Sequence, residues 1–365
     1  MSNRRVFGLD VLRAAAILFV VLEHSTYLLP EGRRAVPNYF VLDGVTIFFV
    51  LSGFLIGGLL IQFLEEGVSC SGLLQFWLRR WFRTLPNYFL ILTVTILIGI
   101  GLNHNTSITD AWPYYFFLQN LHTPHPALFP EAWSLSVEEW FYLLIPILIT
   151  ACISLFRWSP KKALLVVAVV VLTVATGFRL YRYYHFPVDS FKRWDLIFRK
   201  QVITRLDSLM FGVLGAYFKH YHFKIWNQYK LAFLVSGLII LLITKYILPV
   251  TQYYNSFYGC VCSFSLMAFG TLLLLPWLSN FQLVKQRLTK WITHISLISY
   301  SMYLLNLTII QNTLMEYFPW EVLQLSNNAI ALIKYALFWI LVIGLSSLLY
   351  RYYERPMTRL RDQIF

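Results

Sequence analysis

Arg13 and His24 stand eleven residues apart in the first apolar stretch, which opens Leu9-Asp10-Val11-Leu12-Arg13 and ends Leu22-Glu23-His24. At about 100° per residue they return to within about 20° of one direction. On a helix the two side chains share a face, roughly 16 Å apart along the axis. Titratable groups inside an apolar helix are costly and mark functional sites. A neutral imidazole is the usual group for taking a proton from a hydroxyl near neutral pH. Arg80 and Arg83, three residues apart, also share a face. With Arg13 they make three guanidiniums at one expected depth, a pattern that can hold phosphate bidentately. Each could equally be a topological anchor.

A third group opens a later apolar stretch, Trp133-Ser134-Leu135-Ser136-Val137-Glu138-Glu139-Trp140-Phe141-Tyr142. Ser136-x-x-Glu139 reads as a capping box, which gives Glu139 a structural task. Glu138 has none, shares a face with Tyr142, and is expected near the depth of His24. There a carboxylate would orient the imidazole or act with it as an acid–base pair. Glu139, Tyr142 and Ser52 are the expected substrate-side contacts. Gly44, Ser52 and Gly53 also read as a small-residue surface for close helix packing. His122 and His125 flank Pro124 and have no obvious third ligand, so no metal site is expected. No Walker loop or Gly-x-Ser-x-Gly is present.

These residues must be carried by membrane helices. Of 365 residues, 58% are hydrophobic and 13% charged, and the mean hydropathy is +0.61; a soluble domain carries about 25% charge. Apolar stretches of spanning length recur throughout. The expected fold is all-α, a polytopic bundle of about ten transmembrane helices at 9–29, 39–63, 85–102, 135–156, 163–179, 205–218, 231–248, 254–277, 295–313 and 329–351. The chain reads as one transmembrane domain over residues 1–365. The four cysteines show no disulfide or zinc spacing.

The net charge of +13 is distributed as topology requires. With the N-terminus in the cytosol, the inner segments hold Arg4, Arg5, Arg13, Arg79, Arg80, Arg83, Arg157, Lys161, Lys162, Lys219, Lys224, Lys230, Lys285, Arg287, Lys290, Arg351, Arg355, Arg359 and Arg361, whereas 103–134 and 314–328 carry no lysine or arginine. A nucleic-acid partner is therefore not expected. One outer segment departs from the rule: Arg179, Arg182, Lys192, Arg193, Arg199, Lys200 and Arg205, mixed with Asp189, Asp195 and Asp207. It reads either as a solvated loop beside lipid headgroups or as a contact for an anionic glycan or lipid carrier. Residues 64–84 read as an inner loop whose basic and aromatic residues suit the interface. In 103–134 the run Tyr114-Tyr115-Phe116-Phe117-Leu118 is too short to span and reads as re-entrant.

Taken together, the motifs resemble the acyltransferase 3 family of bacterial membrane O-acyltransferases. The matching pieces are Leu9-Asp10-x-x-Arg13 with His24; Phe48-Phe49-Val50-Leu51-Ser52-Gly53-Phe54-Leu55-Ile56; Arg80-x-x-Arg83 before Pro86; Trp133 to Glu139 with Phe141-Tyr142; Ser299-Tyr300-Ser301-Met302-Tyr303-Leu304; and Glu354-Arg355-Pro356. The resemblance implies transfer of an acyl group, usually acetyl, from cytosolic acetyl-CoA to a hydroxyl of a cell-envelope glycan or lipid-linked sugar. It implies Arg13 and His24 as the functional pair, Arg80 and Arg83 as the Arg-x-x-Arg, and Glu138 as the carboxylate. The expected location is the bacterial inner membrane with both termini cytosolic. Many relatives add an extracytoplasmic hydrolase-like domain, which is not expected here.

Under that resemblance Arg13, Arg80 and Arg83 hold the coenzyme phosphates, and the pantetheine arm, roughly 15–18 Å at about 3.5 Å per residue-equivalent, reaches His24. His24 then serves as base or acyl carrier. Where the family often has Asp and His, this chain has Thr46 and Asn306, neither suited to proton transfer. The rival reading is a transporter or flippase of a lipid-linked glycan, since intramembrane Arg and His also line such pathways. No paired broken spans in two related halves support it.

Overall fold

The computed structural model describes residues 5–102, 108–282 and 286–364; Arg4 and Lys285 lie outside them. Ten principal helices carry the fold: α1 Phe7–Ser25, α2 Gly44–Glu66, α3 Cys70–Gly101, α4 Ala132–Phe156, α5 Pro160–His185, α6 Leu206–Tyr221, α7 Lys230–Ile247, α8 Tyr258–Leu278, α9 Arg287–Met315 and α10 Asn327–Gln363. No strand occurs among the described residues. Eight of these, α2 to α5 and α7 to α10, are long and apolar enough to cross a membrane. The expectation of ten spans fails that standard at two places. Asp10, Arg13 and Glu23 interrupt α1, and α6 has only 16 residues.

Both of these helices lie in the interior. α6 packs most extensively on α2, and α1 lies against α2 and α9. The α2–α6 crossing depends on two glycines. A Cβ on Gly53 would sit 1.9 Å from the Leu209 carbonyl oxygen, and one on Gly212 would sit 2.1 Å from the Val50 carbonyl oxygen. Only glycine admits this approach, and it brings the Ser52 turn of α2 into the centre of the bundle.

Two loop expectations are corrected. The segment 64–84 is largely the first half of α3, started by Ser69, whose Oγ accepts from the Gly72 amide at 3.1 Å. Arg80 and Arg83 therefore stand on a rigid helix. The run 114–118 overlaps the end of a short helix, Ile108–Tyr115. It folds back at Phe117, whose φ is 57° and whose carbonyl accepts from Ser136 Oγ at 2.6 Å and Trp140 Nε1 at 2.9 Å. Ser136 is thus a mid-helix donor to a loop, and the capping box is absent because α4 already begins at Ala132. The basic outer segment is a solvated loop only around Asp189, Lys192 and Arg193, which are exposed. Arg179 and Arg205 are fully buried, and Arg179 pairs with buried Asp207 at 2.9 Å, with Ser265 bonded to both. Arg182 is also buried, donating to the Ile197 carbonyl and to Gln201.

Among the described residues, five π-helical turns interrupt the helices, at Asp195–Arg199, Ile243–Ile247, Tyr258–Cys262, Asn306–Met315 and Tyr350–Glu354. Such turns cost hydrogen-bond geometry and are found mostly at functional sites. All five border the two cavities or the residues between them.

Candidate functional site

Arg13 on α1, Ser52 on α2, Arg80 and Arg83 on α3, and Glu138 on α4 line one cavity of about 340 Å³. Seven arginines face it against two glutamates: Arg5, Arg13, Arg80, Arg83, Arg355, Arg359 and Arg361, with Glu138 and Glu354. The last three arginines come from the C-terminal turns of α10, which pack against α3. The Glu354-Arg355-Pro356 motif was the sequence signal for this region, but nothing in the sequence placed it beside Arg83. Glu354 fixes that end, accepting from Ser301 Oγ at 2.6 Å and Asn87 Nδ2 at 3.0 Å.

The three guanidiniums of the expected clamp are not equivalent. Arg80 Nη2 donates to Tyr142 Oη at 2.6 Å and to Glu138 Oε2 at 3.2 Å, and its guanidinium lies 4.2 Å from the Tyr142 ring centroid. Tyr142 Oη in turn donates to Glu138 at 3.0 Å. Arg13 and Arg83, by contrast, have no hydrogen-bond or ion-pair partner among the described residues. Unpaired guanidiniums facing a cavity are the groups an anionic ligand would satisfy. The expected pairing of Glu138 with His24 is absent, because Glu138 is engaged by Arg80. Glu139 accepts from Thr84 Oγ1 at 3.1 Å, and neither it nor Tyr142 lines the cavity; Ser52 does.

His24 is held by Asn306, whose side chain is not suited to proton transfer. Its Nδ1 lies 2.6 Å from Asn306 Oδ1. Both Asn306 Nδ2 protons are spent on carbonyls, at 2.9 Å to Met302 and 2.8 Å to Tyr303. The amide can present only its oxygen to the ring, so Nδ1 carries the proton and Nε2 keeps a lone pair. Asn306 begins a π-helical turn, and buried Glu131 fixes that turn by accepting from the Thr308 amide at 2.7 Å and Thr308 Oγ1 at 2.5 Å. Glu131 directly precedes α4 and carried no sequence signal beyond that position. Thr46 also has a task. It donates to Asp43 at 2.6 Å and accepts from buried Arg205 at 2.5 Å, so Asp43 supplies a carboxylate one turn before the position where the family often has one.

A second cavity of about 530 Å³ lies at the other end of α1, lined by Glu23, Asp43, Arg199 and Lys245 among others. On α1, Arg13 faces the first cavity and Glu23 the second, about 15 Å apart by helical rise. On α2, Val45 faces the first and Asp43 the second. Tyr303 lines the first cavity one helical turn before Asn306. His24 directly follows Glu23, Thr46 directly follows Val45, and none of His24, Asn306 and Thr46 lines either cavity. His125 stands apart, its Nε2 3.1 Å from the Phe129 carbonyl oxygen; burial pushes its pKa down to about 4 and keeps it neutral.

A family model described as Acyltransferase domain matches residues 6–351. The chain belongs to the acyltransferase 3 family. The chain is 29% identical over 185 residues to the peptidoglycan O-acetyltransferase OatA of Listeria monocytogenes, covering 47% of this chain and 28% of that protein. It is 29% identical over 229 residues to the O-acetyltransferase OatA of Staphylococcus aureus, covering 59% and 35%. It is 29% identical over 187 residues to the putative peptidoglycan O-acetyltransferase YrhL of Bacillus subtilis, covering 47% and 28%. The chain spans about a third of the length of the curated relatives it matches. No solved structure matches it.

Proposed function

We propose that this acyltransferase moves an acetyl group from acetyl-CoA to a hydroxyl of a cell-wall glycan, with the donor on the cytosolic side of the inner membrane and both termini on that side. The observation that carries the reading is the His24–Asn306 contact, which leaves Nε2 as the basic nitrogen on the helix whose Arg13 lines the cavity with the unpaired arginines. Arg13 and Arg83 bind the coenzyme phosphates, and Arg355 and Arg359 extend that surface along α10. Arg80, held by Tyr142, positions Glu138 at the cavity wall. The acetyl group points along the face shared by Arg13 and His24.

The reaction follows from these roles. The acceptor hydroxyl gives its proton to His24 Nε2, and its oxygen bonds to the thioester carbonyl carbon. The carbon–sulfur bond then breaks, and the proton held by His24 passes to the departing thiolate, giving an acetyl ester and free coenzyme A. Asn306 Oδ1 stabilises the transient imidazolium through Nδ1–H.

The purified chain in detergent, given labelled acetyl-CoA and solubilised cell-wall glycan, is expected to release coenzyme A only when glycan is present. Release without glycan dependence, or no transfer of label, contradicts the proposal. In the same assay Arg83→Ala removes charge-assisted hydrogen bonds worth about 1.5–3 kcal/mol. The KM for acetyl-CoA is expected to rise about 10- to 100-fold. An unchanged KM would remove Arg83 from the donor site.

A further inference from the structure

The second cavity has no part in holding the donor, yet it is built with as much care as the first. Three of the five π-helical turns deliver its walls. Asp195–Arg199 supplies Arg199, Ile243–Ile247 supplies Lys245, and Tyr258–Cys262 leads directly into Phe264. One wall is aromatic: Phe191 stacks on Trp194 at 5.3 Å between centroids, and Trp194 on Phe264 at 5.4 Å. The Glu23 carboxylate, one residue before His24, has no hydrogen-bond or ion-pair partner among the described residues. Lys245 spends one of its three protons on the Asn38 carbonyl at 2.8 Å and has others free.

The chemistry of these walls selects among ligands. A lone phosphate or carboxylate would meet Lys245 and Arg199 but also Glu23 and Asp43, and like charges at close range disfavour it. An uncharged sugar suits both signs, since each hydroxyl donates to a carboxylate and accepts from an ammonium or guanidinium. Its apolar ring face suits an aromatic wall. The volume of about 530 Å³ falls within the roughly 300–1,000 Å³ of small-molecule sites.

We propose that this cavity is the acceptor site, taking one uncharged glycosyl unit, with Glu23 and Lys245 as its specificity-determining contacts. The proposal rests on the acetyl-transfer reading above. The sugar enters from the face opposite the donor cavity, Glu23 accepts from one of its hydroxyls, and a neighbouring hydroxyl is left toward His24. The two substrates then meet at His24 without sharing a cavity.

Two measurements on the full chain in detergent test this. In the first, chitotetraose binding is measured without acetyl-CoA, for the wild type and for Glu23→Gln and Lys245→Met. Binding by the wild type, weakened about tenfold or more in both variants, is expected. In the second, the acceptor KM and the acetyl-CoA affinity are compared for the same three proteins, using solubilised cell-wall glycan. The acceptor KM is expected to rise by a similar factor while acetyl-CoA affinity stays unchanged. Equal chitotetraose binding by all three proteins, or an unchanged acceptor KM with transfer intact, overturns the acceptor site and leaves the acetyl-transfer reading standing. Displacement of the sugar by phosphatidylglycerol micelles would make the cavity a lipid site and overturn it likewise. Absence of transfer by the wild type, with chitotetraose bound as expected, would instead sink the acetyl-transfer reading.

Discussion

Replacing His24 by alanine is expected to lower acetyl transfer by about 10²- to 10⁴-fold, the usual worth of a positioned general base. Acetyl-CoA affinity should not change, because the unpaired guanidiniums of Arg13 and Arg83 lie in a cavity that His24 does not line. Single-turnover transfer and equilibrium donor binding, measured on the same protein, separate the two effects. Wild-type transfer by the alanine variant would dismiss His24 both as a base and as an acyl carrier. Asn306→Ala should fall between the two: the ring keeps its basic nitrogen but loses the partner that fixes its tautomer.

The second large effect falls on stability. Arg80 and Glu138 have side chains only 15% and 12% exposed and meet at 3.2 Å. Removing one member of such a buried pair leaves the other uncompensated, at a cost of about 3–5 kcal/mol. Arg80→Ala is therefore expected to melt well below the wild type in detergent. The double variant Arg80→Ala/Glu138→Ala should recover part of the loss, and the double-mutant cycle measures the coupling. This result would distinguish Arg80 from Arg83, whose loss should weaken donor binding and leave the melting temperature nearly unchanged. Equal behaviour of the two variants would return Arg80 to the phosphate clamp.

The sequence was informative about which residues matter along each helix and poor about what they face. The Arg13–His24 spacing shows a shared helical face, and Arg13, Arg80 and Arg83 do line one cavity. Helical periodicity determines depth and side within one element. Partners across elements depend on how helices cross, and the Gly53–Leu209 and Gly212–Val50 approaches settle that in three dimensions. Glu138 has a depth legible from its position, but its pairing with Arg80 required knowing that α3 starts at Cys70. The alternating basic and aromatic residues of 77–83 also fit a membrane interface, which hid that start. π-helical turns have no simple sequence period, so the turns that aim Asn306 at His24 and Glu354 toward Ser301 were invisible. The Thr46 departure is absorbed by Asp43, three residues earlier, a local compensation readable only from the hydrogen bonds.

In the proposed reaction, donor and acceptor reach His24 from opposite faces of one membrane protein. Sidedness in sealed vesicles tests this most directly. The chain is reconstituted in one orientation, labelled acetyl-CoA is supplied only on the face of the arginine-lined cavity, and solubilised cell-wall glycan only on the other. Label is predicted to appear in the glycan without mixing of the two compartments, and to vanish when the substrates are exchanged. Transfer that requires both substrates on the same face would contradict the account.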